Sequence, residues 1–186
     1  MSTKLVPGSL GAIAAQSGQS LAESFLSATA VIIVDVSGSM AQNDSRGGRT
    51  RYEVALEELE KLQKEMPGKI AVIAFSDMPH FVPGGAPIMD GGGTDLAKAL
   101  EFAKVADVPG MRFVVVSDGC PDDEDKALRV ARTYQNRIDT IFVGAEGDHD
   151  AQAFLKRLAS VGRGQHVTAA QVKELAKETQ LLLNGA

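Results

Sequence analysis

Short apolar runs rich in β-branched residues alternate with segments of helical periodicity along this chain, and that alternation constrains the fold more than any other feature. The runs at 30–35, 69–75, 111–116 and 138–143 are too short for buried helices and show no polar–apolar alternation. Runs of this kind predict strands buried on both faces. Between them, Tyr52, Ala55, Leu56, Leu59 and Met66 repeat at helical spacing, with Glu57–Lys61 and Glu60–Lys64 in the favourable order for exposed pairs. Met66-Pro67-Gly68 stops that helix. Leu96, Ala99, Leu100 and Ala103 form a second apolar face behind Thr94, which is predicted as the N-cap. Pro121 and the acids at 122–125 open a third helix, and a fourth spans 150–160. A short strand at 165–167 and a capping box, Thr168-x-x-Gln171, precede a last helix running to about 183. Strands that alternate with amphipathic helices predict a mostly parallel sheet covered by helices on both faces. The segment 79–90, with Pro79, Pro83 and Pro87, leaves room for at most a short edge strand or hairpin.

The N-terminal segment 9–27 reads as one helix, with Leu10, Ile13, Ala14, Leu21 and Phe25 on a shared face and Gly11 and Gly18 weakening it. This divides the chain into an N-terminal helical arm, 1–28, and one domain, 29–186. The arm is expected to pack on that domain or to exchange between chains, and the oligomeric state is left open. The 186 residues suffice for one core. With 5% aromatic residues and no Trp, Val, Ile, Leu and Ala must build it. A net charge of −5 without a Lys/Arg run argues against the electrostatic footprint of a nucleic-acid binder. No basic stretch leads into an apolar segment at the start, and no run nears the ~18 apolar residues of a membrane span, so neither a secretory leader nor a membrane anchor is expected. Cys120 is the single cysteine. No intrachain disulfide can form, which fits a reducing, cytoplasmic setting.

Three loops at strand ends or helix starts are loaded with oxygen ligands: Asp35-Val36-Ser37-Gly38-Ser39, Gly91-Gly92-Gly93-Thr94-Asp95 and Ser117-Asp118-Gly119. In an open parallel sheet, ligands bind beyond the carboxyl ends of strands where strand order reverses, and there Asp35, Ser37, Ser39 and Asp118 would converge. Carboxylates and hydroxyls without Cys or His make a hard site, suited to Mg²⁺, Mn²⁺ or Ca²⁺ and not to zinc.

These motifs, in type and order, resemble those of the von Willebrand factor A (VWA) domain family. Met40 after the first motif, Arg51-Tyr52-Glu53 at a helix start and the strand ending Ala74-Phe75-Ser76 add to the likeness, which covers roughly residues 30–183. The resemblance implies a doubly wound, mostly parallel six-stranded sheet with one antiparallel edge strand, Rossmann-like, with helices on both faces. It also implies a metal-ion-dependent adhesion site. In such a site Ser37 and Ser39 bind the metal directly, Thr94 and Asp118 alternate between direct and water-mediated contact, and Asp35 acts mainly through water. An acidic side chain of a protein partner commonly fills the open position. The function so implied is a metal-dependent protein-interaction module and not an enzyme. Intracellular bacterial members often accompany ATPases or stress-response proteins, a class of partner this chain would share.

The alternative from another class is a metal-dependent hydrolase or phosphatase with Asp35 as nucleophile. Such enzymes resemble Asp-x-Asp after a first strand, but here the second acid is replaced by Ser37, so the general acid is missing. Cys120 lies near a helix start, where a thiolate would be stabilised, yet a lone Cys without a partner reads as incidental. His80, His149 and His166 are scattered, and the acids at 122–125 read as a solvated first helical turn.

Overall fold

The computed structural model describes residues 5–168. Four strands form at the apolar runs and two at the short strands expected in 79–90 and near 165–167: β1 (Ala30–Asp35), β2 (Ile70–Phe75), β3 (Pro79–Phe81), β4 (Arg112–Ser117), β5 (Ile138–Phe142) and β6 (Arg163–Thr168). They make one six-stranded sheet in the order β3-β2-β1-β4-β5-β6. Only β3 runs antiparallel, against β2. The helices are α1 (Leu10–Ser17), α2 (Leu21–Leu26), α3 (Arg51–Glu65), α4 (Leu96–Ala103), α5 (Glu124–Ala131) and α6 (His149–Val161).

Alternate residues of the central strands enter opposite cores, which is why the runs are apolar throughout. Val31, Ile33, Ile73, Phe113 and Val115 pack with Leu96, Leu100, Leu128, Phe154 and Leu158 of α4, α5 and α6. Ile32, Val34, Val72, Val114 and Val116 pack with Val54, Ala55, Leu59 and Leu62 of α3. The chain leaves β1 for α3 and β2 on one side, and leaves β4 for α5 and β5 on the other. The carboxyl ends of β1 and β4, adjacent and paired, therefore form the crevice where connections diverge.

The predicted single helix over 9–27 is two helices. Gly18, at φ +70°, ends α1, and Ser20 starts α2 through a reciprocal capping box with Glu23. The arm is fastened to the domain through backbone bonds, with Val6 N–H donating to Gly84 O (2.9 Å), Gly11 N–H to Pro83 O (2.8 Å) and Gly68 N–H to Gly8 O (2.9 Å). Leu10 is 1% exposed, whereas Leu21, expected to be buried, is 43% exposed. Deleting residues 1–27 is expected to lower the melting temperature, since losing the Leu10 side chain alone costs about 2–5 kcal/mol at such a site. An unchanged melting curve would make the arm a passive leader. The last predicted helix, which follows Thr168 and runs to about 183, lies outside the described residues. Among the described residues no helix is long and apolar enough to cross a membrane.

Candidate metal centre

Asp35 ends β1 and is completely buried. Its Oδ1 accepts from the Ser37 backbone N–H at 2.9 Å, which turns the chain sharply out of the strand. Its Oδ2 accepts from the Ser117 hydroxyl at 2.7 Å, which ties the end of β1 to the end of β4. A short 3₁₀ turn, Gly38–Ala41, follows, with Met40 buried beneath it as a plug. The turn sets the Ser37 and Ser39 hydroxyl oxygens 3.2 Å apart.

The glycine-rich loop meets this turn through its backbone, with Gly38 N–H donating to Gly92 O at 3.2 Å. Asp77 accepts from Gly93 N–H at 3.1 Å, and Asp122 accepts from Thr94 N–H at 3.0 Å. Thr94 is not the helix cap. Asp95 caps α4 by accepting from Lys98 N–H at 2.9 Å. Thr94 stands one residue outside the helix, its N–H donating to the Asp122 carboxylate and its O accepting from Asp122 N–H at 3.0 Å. Asp122 correspondingly does not belong to the first turn of α5, which Asp123 caps.

Asp118 follows β4, its side chain wholly inaccessible. Its Oδ2 accepts from Arg51 Nη1 at 2.7 Å, while its Oδ1 is buried and has no hydrogen-bond partner. Burial pushes the Asp35 carboxyl up to about 6, opposed by hydrogen bonds from Ser37 and Ser117 and reinforced by the charge of Asp118. Two buried carboxylates thus lie near each other, and one of their oxygens has no hydrogen-bond partner in the protein.

The donors fit a hard divalent cation. No cluster of three or more His, Cys, Asp or Glu side chains gathers to hold a metal among the described residues. A cation here would depend on hydroxyls beside two carboxylates, which is a hard-oxygen set and not a zinc set. An unpartnered buried carboxylate oxygen next to a second carboxylate is the environment a cation would relieve.

Asp35, Ser37, Ser39 and Asp118 come together at the divergence of β1 and β4, and Thr94 is carried by the loop that is bonded to Gly38. Three participants escaped the sequence reading. In the sequence Ser117 stands only as part of a motif, Asp122 as part of an acidic run and Arg51 as a helix start. The Thr50-x-x-Glu53 capping box does fix where α3 begins and so makes Arg51 its first residue, but nothing local reveals what Arg51 touches. Cys120 is a free, exposed cysteine, in keeping with an incidental role. Partial burial and the carboxylates of Asp118 and Asp148 push its thiol up, so no stabilised thiolate results.

No family model matches the sequence, and neither does any curated protein. Solved structures do match. One is an aerotolerance-related membrane protein from Bacteroides fragilis, at 17% identity over 84% of this chain and 98% of that one, with a TM-score of 0.69. A second is a von Willebrand factor type A protein from Catenulispora acidiphila, at 20% identity over 81% of this chain and 41% of that one, with a TM-score of 0.56. A third is the manganese-loaded TRAP protein of Plasmodium vivax, at 15% identity over 82% of this chain and 73% of that one, with a TM-score of 0.55. The sheet order, its one antiparallel edge strand and these likenesses together give the chain the Rossmann-like von Willebrand factor A fold.

Proposed function

We propose that the chain is a divalent-cation-dependent protein-interaction module, acting by binding and not by catalysis. Asp35, Ser37, Ser39, Thr94 and Asp118 would hold Mg²⁺ or Mn²⁺, with Ca²⁺ as a third choice, and an Asp or Glu of a protein partner would complete the coordination. The observation that carries this reading is the buried, unpartnered Oδ1 of Asp118 in a crevice shared with Asp35. The manganese in the TRAP structure, a protein of the same fold, supports the choice of a hard cation. When bound, the cation would supply a strong electrostatic contact to a partner carboxylate. This chain's own residues do the rest: Asp35 sets the turn, the serines present their hydroxyls, and Asp122 pairs with the backbone of Thr94. An ATPase or a stress-response protein in a cytoplasmic setting is the class of partner proposed.

Pull-down from a native lysate tests this. EDTA should release the partner, and Mg²⁺ or Mn²⁺ should restore it. Thr94→Ala should weaken partner binding more than it weakens metal binding. A partner indifferent to both would sink the assignment. Turnover of a generic phosphate ester with Mg²⁺ would instead favour the hydrolase reading.

A further inference from the structure

The Arg51–Asp118 pair is built more elaborately than anchoring a helix start requires. Arg51 is 6% exposed, and all three of its guanidinium nitrogens are engaged. Nε and Nη2 donate to the two oxygens of Asp44, each at 2.7 Å, and Nη2 also donates to Gln42 Oε1 at 2.9 Å. Nη1 donates to Asp118 Oδ2 at 2.7 Å. The fork is therefore fixed in orientation from the side of the 42–44 loop and aimed at a single oxygen of a buried carboxylate. An arginine cannot shed its proton to relieve this arrangement. Asp44, by contrast, has a side chain 37% exposed and keeps water as an alternative partner.

From this geometry we infer that Arg51 is a resident counter-charge for the candidate cation site: it keeps Asp118 tolerable in the metal-free protein and lowers the affinity of the site for a divalent cation. The inference rests on the reading that Asp118 borders a cation site. The charges decide its direction. Asp35 and Asp118 place two buried carboxylates near each other, and Arg51 is the cation bonded to one of them. Removing it leaves a buried carboxylate with no hydrogen bond on either oxygen, which destabilises the metal-free fold. The same removal takes a positive charge from beside the place where a second cation would enter, so that cation should bind more tightly. With Arg51 present, the domain folds without metal and its cation can exchange. Without Arg51, folding would depend on the metal.

The test compares wild type, Arg51→Met, Arg51→Lys, Asp44→Asn and the double variant Arg51→Met/Asp118→Asn, by thermal melting in EDTA and by calorimetry with Mn²⁺. Arg51→Met should melt lower in EDTA, gain more from Mn²⁺ than wild type does, and bind Mn²⁺ about tenfold tighter. Arg51→Lys, which keeps the charge without the fork, should fall between the two. The double variant should recover most of the melting temperature lost in EDTA, because the charge that Arg51 compensates on Asp118 is then gone as well. If Arg51→Met does not fold without metal, folding of the double variant in EDTA carries the same information. A purely structural anchor predicts instead that Asp44→Asn reproduces Arg51→Met and that Mn²⁺ affinity does not rise. Either of those results, or a double variant that fails to recover, overturns the inference. Failure of both wild type and Arg51→Met to bind Mn²⁺ would overturn the cation reading, and recovery of the double variant in EDTA then still decides the role of Arg51 toward Asp118.

Discussion

Replacing Asp35 by asparagine should abolish Mg²⁺ and Mn²⁺ binding while leaving the metal-free protein no less stable than wild type. The carboxamide has the size of the carboxylate. Its oxygen can still accept from the Ser37 N–H, and its nitrogen can donate to the Ser117 hydroxyl, so the turn and the β1–β4 tie survive. What disappears is a buried negative charge beside Asp118, and burial is what already drives the Asp35 carboxyl up to about 6. Removing a charge the interior disfavours costs the empty fold nothing. A cation loses one of only two carboxylates able to compensate it. The expected loss is at least about 100-fold in affinity, the upper end for groups that act on a metal through an intervening ligand. Calorimetry with Mn²⁺ and melting in EDTA measure the two halves separately. Unchanged affinity would remove Asp35 from the site. A large fall in stability would mean that its charge is needed for folding.

Gly119→Ala should destabilise the protein by about 2–4 kcal/mol and weaken metal binding without altering any ligand. Gly119 has φ +86°, a left-handed conformation that alanine adopts at a cost. A Cβ there would also lie 2.5 Å from the backbone oxygen of Ala151 in α6, and a backbone atom cannot move aside as a side chain can. The exit of β4 would have to shift away from α6, taking with it Asp118 and the Ser117 hydroxyl that holds Asp35. Gly91→Ala provides the contrast. Its φ is +76°, but a Cβ would meet nothing within 4 Å. Only the conformational cost of about 1 kcal/mol should appear there. Denaturant midpoints for the two variants, set beside Mn²⁺ affinities, check the prediction. Equal effects would mean that the close approach of β4 and α6 does not matter.

Much of the fold was legible along the chain because it depends on local periodicity. The apolar runs became strands, and the prolines of 79–90 confined β3 to three residues at the sheet edge, Pro79–Phe81. Where local signals compete, the reading slipped. Gly18 with the Ser20–Glu23 box outweighed the shared apolar face of 9–27 and made two helices. Thr94 and Asp95 are both residues that can cap a helix, and no local rule chooses between them. In the structure Asp95 caps, and Thr94 pairs through its backbone with Asp122 from beyond β4.

The ligand candidates Asp35, Ser37, Ser39 and Asp118 were readable because their residue types are unusual directly after buried strands, and because a parallel sheet must gather such ends at its point of divergence. Their charge balance was not readable. Arg51 and Asp118 are 67 residues apart, and nothing near either marks the other as its partner. At Cys120 a nearby helix start favours a thiolate locally, but desolvation first and the carboxylates of Asp118 and Asp148 next push the thiol up. Side-chain periodicity and turn chemistry act over a few residues and so are written in the sequence. The electrostatics of a buried site sum over every charge the fold brings near, and only the tertiary structure decides which charges those are.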